Sequence, residues 1–189
     1  MIKVGILELQ GDFELHHNIL RELGYASFSV KDTADLESLD GLIIPGGEST
    51  TMSLLIDSFN LRKSILDFSK ENPILGTCAG LILMARAIED ESKVNPLGIL
   101  DIEVSRNAYG RQVHSFEDSI SLMHKNIKSK SMKASFIRAP KITSMGSDVQ
   151  IICKHNNEIV GVKEGKHIAT TCHPELQNET LLHEICFKS

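Results

Sequence analysis

The chain is short of the features that binding nucleic acid or crossing a membrane would require. Its 189 residues include no Trp and only two Tyr, and the formal net charge is −5. Few aromatic side chains are available to stack on bases, and an acidic balance disfavours a surface for phosphate backbones. No apolar run approaches the ~20 residues that span a bilayer, and no small-residue cleavage site follows the N-terminal run. We therefore expect no nucleic-acid partner, no membrane association and a cytoplasmic location.

Cysteine is also scarce and widely spaced. The four cysteines are Cys78, Cys153, Cys172 and Cys186, and no CxxC pair occurs. Such spacing indicates free thiols in a reducing compartment rather than a disulfide framework, and it gives no reason to expect structural zinc. Metal is therefore not part of the predicted chemistry.

The hydrophobic pattern changes halfway along the chain. In the first half, short apolar runs alternate with helical periodicity, which predicts a parallel sheet with crossover helices. Asp12 and Ser49 look like helix N-caps, and residues 80–88 have a helical pattern. The second half contains short strand-like segments, namely 98–105, 115–122, 133–137, 149–154, 158–163 and 167–172. We predict a single α/β domain over 1–189: a three-layer sandwich with a mainly parallel central sheet and an antiparallel extension.

The sharpest local signal is the segment 76–80, GTCAG, which follows an apolar strand and opens a helix. This is a Gly-x-nucleophile-x-Gly arrangement with Cys78 in the nucleophile position. A strand that turns abruptly into a helix exposes the turn residue, and the flanking glycines relieve crowding. The N–H of Ala79 would then point toward a developing oxyanion. The alternative is a buried structural cysteine, and the motif alone does not decide between them.

A cysteine nucleophile needs a base, and His173 is the candidate. Pro174 favours an extended His173, and Glu175 lies two residues on, where the two side chains can face the same side. Glu175 could therefore orient the His173 imidazole and complete a Cys-His-Glu relay. A solvated surface loop is the simpler interpretation of this tripeptide by itself.

The third segment, 45–51, reads PGGESTT and follows a predicted strand. Adjacent Gly46 and Gly47 allow a ligand to approach the backbone closely. The segment is not a Walker A loop, because no Gly-Lys-Ser/Thr follows. Taken alone, it would be a plain turn. Ligands of α/β sheets lie beyond the carboxyl ends of strands, however, so this loop and Cys78 are expected to share one crevice.

Together these segments resemble the class I (triad) glutamine amidotransferases. The resemblance is closer to the family of glutaminase subunits of pyridoxal 5′-phosphate synthases, and it covers residues 4 to about 176. The segments that carry it are 9–11 (LQG), 45–51 (PGGESTT), 76–80 (GTCAG), 106–112 (RNxxGRQ), 136–140 (FIRAP) and 173–176 (HPEL).

The resemblance implies a role for each matching residue. Cys78 would attack the side-chain amide of L-glutamine, His173 would transfer the proton to the leaving ammonia, and Glu175 would orient His173. A glutamyl thioester would form and be hydrolysed, with the oxyanion held by the backbone N–H groups of Gly47 and Ala79. The glutamine pocket would be lined by Gly46, Gly47, Glu48, Arg106, Ile137 and Arg138. Within it, Glu48 suits the substrate ammonium and an arginine suits its carboxylate.

The resemblance also implies a partner. Ammonia would pass to a synthase subunit that makes pyridoxal 5′-phosphate for vitamin B6 biosynthesis, within a large hetero-oligomer, and this chain would need no cofactor of its own. We expect weak activity without the partner, because a Gly-Gly peptide can flip to complete an oxyanion hole on docking. The alternatives are an amidotransferase of another pathway, a non-catalytic regulatory subunit on the same scaffold, and another cysteine hydrolase such as a peptidase.

Overall fold

The computed structural model describes residues 1–89, 93–106, 115–123 and 131–188. The strands within these ranges are β1 (Lys3–Leu7), β2 (Ala26–Val30), β3 (Gly41–Ile44), β4 (Ile74–Thr77), β5 (Ala85–Ile88), β6 (Leu100–Ser105), β7 (Phe116–Leu122), β8 (Ser131–Phe136), β9 (Lys141–Met145), β10 (Gln150–His155), β11 (Glu158–Glu164) and β12 (His167–Thr170). The helices are α1 (Glu14–Glu22), α2 (Ser49–Ser58), α3 (Leu61–Glu71), α4 (Ala79–Met84) and α5 (Leu181–Phe187). None of these helices is long and apolar enough to cross a membrane.

One nine-stranded sheet dominates the molecule, in the order β2-β1-β3-β4-β12-β11-β10-β7-β8. Its first five strands pair in parallel, and the rest pair antiparallel. The prediction of a parallel α/β sheet with an antiparallel extension is therefore confirmed. Because β3, β4 and β12 run in the same direction, the segments that follow them meet at one edge of the sheet.

Apolar side chains cover both faces of this sheet. One core cluster joins Leu7 and Ile44 to Met52 of α2, Ile65 of α3 and Leu81 of α4. The opposite cluster joins other sheet residues to α1 and α5 through Leu20, Leu182, Cys186 and Phe187. Helices on both faces give three layers, as predicted. Backbone hydrogen bonds between β12 and β11 join the parallel strands to the antiparallel ones in a single sheet.

The structure corrects several predicted boundaries. The predicted helix over 80–88 ends at Met84, and β5 instead joins β6 and β9 in a second, three-stranded sheet. Asp12 is not an N-cap: the cap of α1 is Phe13, which makes no side-chain capping bond. Nor is Ser49, because Glu48 caps α2 by accepting from the Thr50 and Thr51 N–H groups. The strand β5 depends on pairing with β6, which helical periodicity does not report, whereas the two cap positions are local and were misplaced by one residue.

Candidate active site

Cys78 occupies a strained turn between β4 and α4. Its backbone has φ 49° and ψ −99°, a conformation that non-glycine residues rarely adopt. Two backbone bonds hold it there: the Cys78 N–H donates to Thr170 O at 2.8 Å, and the Cys78 carbonyl accepts from Ile82 N–H at 3.2 Å. Such strain persists only where the surrounding structure fixes it, and it is concentrated at functional sites.

The glycines on either side of this turn are required by its crowding. A Cβ added to Gly80 would overlap the carbonyl oxygen of Ile44, and a Cβ on Gly76 would lie 2.8 Å from the Gly80 carbonyl carbon. Real Cβ atoms do not approach backbone this closely. The spacing GTCAG thus has the steric origin expected from the sequence.

His173 and Glu175 form a buried hydrogen-bonded pair beside this turn. The His173 Nδ1 lies 2.8 Å from Glu175 Oε1, and the carboxylate accepts a longer bond of 3.4 Å from Thr77 Oγ1. A carboxylate can only accept, so His173 carries a proton on Nδ1 and directs Nε2 away from Glu175. Glu175 is 2% exposed. Burial opposes its ionisation, yet the bond from His173 keeps the pKa of Glu175 below its ordinary value.

Cys78 and His173 lie together, although their segments are 95 positions apart in the sequence. Both line one crevice. Burial alone would lower the pKa of His173, but the adjacent Cys78 and Glu175 side chains raise it to about 10. The imidazolium form is therefore favoured at neutral pH. A histidine that accepts and keeps a proton beside a cysteine is what a cysteine nucleophile requires.

The crevice encloses about 440 Å³, and charged side chains line it around the Cys78 sulfur. They are Asp12, Glu48, Arg106 and Arg138. Arg106 Nη2 lies 3.8 Å from Glu48 Oε1. Burial would raise the pKa of Glu48, but bonds from Thr51 and Thr50 lower it to about 2. Negative and positive groups at one pocket match the two charged ends of a free amino acid.

The antiparallel half of the sheet supplies one wall of this crevice. Ser135, near the end of β8, exchanges backbone bonds with His173, of 3.2 and 2.8 Å. This pairing brings the next residues over the nucleophile, so that the Ile137 carbonyl lies 4.0 Å from Cys78 Sγ. Arg138 follows with φ 44°. The segment 136–140 is thus placed as the sequence analysis expected, whereas residues 107–112 of the RNxxGRQ segment lie outside the described ranges.

The Gly46-Gly47 loop packs tightly against the catalytic candidates. The Gly46 carbonyl accepts from Asp12 N–H at 3.0 Å, and Glu48 N–H donates to Gln10 Oε1 at 2.7 Å. A Cβ on Gly46 would overlap His173 Cε1, and a Cβ on Gly47 would lie 2.5 Å from Gln10 Oε1. The site residues expected from the sequence therefore gather around one crevice at the carboxyl edge of the parallel strands.

Four residues near this centre were given no site role from the sequence. Gln10 and Asp12 follow β1 and reach the Gly46-Gly47 loop; the position of Gln10-Gly11 just after a predicted strand was the available signal. His16 of α1 and His183 of α5 are fully buried. Their rings are joined at 2.8 Å between His16 Nδ1 and His183 Nε2. They are 167 positions apart, and nothing in the local sequence links them.

The buried histidines should make the protein sensitive to mild acid. Burial lowers the pKa of His16 and of His183 to about 3, and that of His167 to about 4. Unfolded histidines titrate near 6.5, so below that pH the unfolded chain binds more protons than the folded one. We expect the free energy of unfolding to fall as pH decreases from 6.5 to 5, by at most about 1.4 kcal/mol per pH unit for each histidine.

Urea unfolding at several pH values measures this dependence. The raised pKa of His173 stabilises the fold below 6.5 and loses that effect only at higher pH, so it does not affect this window. Replacing His16 and His183 together with leucine should flatten the slope. An unfolding free energy that stays constant or rises on acidification to pH 5 would contradict the assignment of neutral buried histidines.

Solved structures with the same architecture define the class of protein. A crystal structure of a glutamine amidotransferase superposes with a TM-score of 0.90 and 36% identity, covering 98% of this chain and 97% of that one. A GMP synthase protein from Thermoplasma acidophilum, 20% identical, shares the fold with a TM-score of 0.66, covering 98% and 90% of the two chains. The fold is that of the glutamine amidotransferases.

The chain belongs to the SNO glutamine amidotransferase family, which it matches over residues 6–188. A pyridoxal 5′-phosphate synthase subunit PdxT from Oenococcus oeni is 46% identical over 187 residues, which are 99% of this chain and 96% of the relative. The protein of the same name from Shouchella clausii is 44% identical, covering 99% and 94% of the two chains. The resemblance inferred from the sequence is therefore confirmed.

Proposed function

We propose that this chain is the glutaminase subunit of a pyridoxal 5′-phosphate synthase. It hydrolyses L-glutamine to L-glutamate and ammonia within a single domain, and a synthase subunit uses the ammonia to build pyridoxal 5′-phosphate. The relatives at 46% and 44% identity are named pyridoxal 5′-phosphate synthase subunit PdxT. The observation that carries the proposal is that Cys78 and His173 line one charged crevice while the buried Glu175 carboxylate accepts from His173.

Cys78 is the proposed nucleophile. Its sulfur attacks the side-chain amide carbon of glutamine while the His173 imidazole holds the thiol proton. The tetrahedral intermediate then collapses: the C–N bond breaks, His173 gives its proton to the leaving nitrogen, and ammonia departs. A glutamyl thioester remains. Water, deprotonated by the same imidazole, hydrolyses this thioester and releases glutamate.

Glu175 is the proposed orienting residue. Its buried carboxylate accepts from His173 Nδ1, which leaves Nε2 for the sulfur and stabilises the imidazolium that forms during attack. Because water cannot screen this pair, its effect on His173 is larger than that of an exposed carboxylate.

Backbone N–H groups are the proposed oxyanion donors. Ala79 directly follows the nucleophile, and the Gly47 N–H belongs to the loop that packs on His173. Preorganised donors stabilise the negative oxygen of the intermediate without reorganising during the reaction. The bond from Asp12 N–H to the Gly46 carbonyl fixes the orientation of the Gly46-Gly47 peptide in the isolated chain.

The pocket residues are proposed to select a free amino acid. Glu48, ionised at neutral pH, attracts the substrate ammonium, and Arg106 or Arg138 pairs with the α-carboxylate. Ile137 closes the crevice near Cys78 through its backbone carbonyl. A substrate lacking either charged end would leave one of these groups without a partner.

The partner is proposed to control the activity. The chain works in the cytoplasm, in a large hetero-oligomer, and docking of the synthase subunit reorients the Gly46-Gly47 peptide to complete the oxyanion hole. Hydrolysis by the free chain would only release ammonia into solution, so gating by the partner prevents that loss.

Ammonia release from glutamine, with and without the synthase subunit, tests this proposal. We expect the partner to raise kcat by about 100-fold or more, the scale of an oxyanion donor that is added or withheld. Equal turnover by the free chain would eliminate the gating. No ammonia from the complex, or release of peptides from an unstructured protein, would overturn the glutaminase assignment itself.

A further inference from the structure

A second buried contact reaches the same Glu175 oxygen that accepts from His173. His16 Nε2 lies 3.8 Å from Glu175 Oε1, and both side chains are completely buried. The distance is too long for a hydrogen bond, so the interaction is that of a ring dipole with a carboxylate charge. Neither His16 Nε2 nor Glu175 Oε2 has another hydrogen-bond partner among the described residues.

His16 is held by His183 from the C-terminal helix. The 2.8 Å bond between His16 Nδ1 and His183 Nε2 requires one nitrogen to donate and the other to accept. Both rings are neutral at physiological pH, because burial lowers the pKa of each to about 3. Each ring therefore carries one proton, and only two tautomeric arrangements satisfy the bond.

The charge of Glu175 decides between these arrangements. If His16 donated to His183, the bare lone pair of His16 Nε2 would face a buried carboxylate, and a proton on His183 Nδ1 would lie buried without an acceptor among the described residues. If His183 donates to His16, the His16 proton lies on Nε2 and points toward the carboxylate. The second arrangement avoids both penalties.

We propose that His16 and His183 are positioning residues that keep the Glu175 carboxylate directed at His173. His183 fixes the tautomer of His16, and the buried His16 Nε2–H dipole stabilises the negative charge on the oxygen that accepts from His173. Because both rings are uncharged, the full negative charge of Glu175 remains available to the His173 imidazolium. The expected effect on turnover rests on the glutaminase function proposed above. The predicted tautomers of His16 and His183 do not depend on that function.

Steady-state kinetics of the complex with its synthase subunit test the proposal. We expect His16→Leu to lower kcat about 10- to 100-fold with little change in KM, the scale of removing an outer hydrogen-bond partner at a metal-bound histidine. The alkaline limb of the pH profile, where the His173 imidazolium is lost, should move to lower pH. A purely structural role would change protein stability without moving this limb.

His183 offers a conservative variant as a second test. His183→Leu leaves the His16 tautomer unspecified and should lower kcat, whereas His183→Gln places an amide N–H near the former Nε2 and should restore most of it. The matched control is His167→Gln. This half-buried histidine accepts from Ile74 N–H at 3.2 Å, at the far end of β12 from His173, so its kcat should equal that of the wild type.

Nitrogen NMR of histidine-labelled protein reads the tautomers independently of activity. We expect His16 to carry its proton on Nε2 in the wild type and to populate both tautomers in His183→Leu. A His16 proton on Nδ1 in the wild type, or a folded His16→Leu protein with wild-type kcat and pH profile, would overturn the proposal. Absence of glutamine hydrolysis by the wild-type complex would instead refute the proposed function and leave the tautomer result standing.

Discussion

Cys78→Ala is expected to lower kcat for glutamine hydrolysis by about 10⁴-fold or more, as loss of the nucleophile does in related relays. Alanine keeps the Cβ that already occupies the strained turn, so the substitution removes only the sulfur. The fold should persist, because the backbone bonds of Cys78 to Thr170 and Ile82 do not involve the side chain. Ammonia release by the complex, together with a melting curve, measures both effects.

Labelling with an electrophilic glutamine analogue provides the complementary measurement. The other thiols are buried, and burial raises the pKa of Cys153, and raises that of Cys172 and Cys186 to about 12. They remain protonated and unreactive at neutral pH. We expect one label per chain, on Cys78, and full activity in the control variant Cys153→Ala. Labels spread over all four cysteines, or ammonia release undiminished in Cys78→Ala, would contradict the nucleophile assignment.

Gly46→Ala should strongly reduce catalysis although it retains every proposed catalytic residue. The added Cβ would overlap His173 Cε1 and lie 2.9 Å from Nδ1, so the imidazole has to move by about 1 Å. A displacement of that size in a reacting group costs about 100-fold in rate. We expect kcat to fall by at least this factor, because His173 loses its alignment with both Cys78 and Glu175.

A glycine elsewhere in the chain separates this effect from general destabilisation. Gly24 has φ 73° and no atom within 4 Å of an added Cβ. Gly24→Ala should therefore cost about 1 kcal/mol of stability through backbone strain and leave kcat unchanged. If Gly46→Ala retains wild-type kcat in the complex, then the packing of this loop on His173 does not matter for catalysis.

The segments that carry the proposed catalytic residues were predictable because the features that define them lie within a few residues of one another. A strand followed by a glycine-flanked cysteine specifies a tight turn by sterics alone, and the distances around Gly76 and Gly80 agree with that reasoning. Pro174 and the two-residue spacing predicted the contact of His173 with Glu175, which is 2.8 Å long. By contrast, the antiparallel strand β9 and the short strand β5 were not predicted, since their pairing partners lie elsewhere in the chain.

By itself, the amino-acid sequence determined the α/β class, the family and the segments that form the crevice, because periodicity and turn chemistry act over a few residues. Only the tertiary structure decided which distant groups meet. It pairs His173 with Ser135 of the antiparallel half, and it joins His16 to His183 beside Glu175. These contacts form because α1, α5 and the antiparallel strand β8 all pack beside the carboxyl edge of the parallel strands. The sequence contains no local signal for such packing.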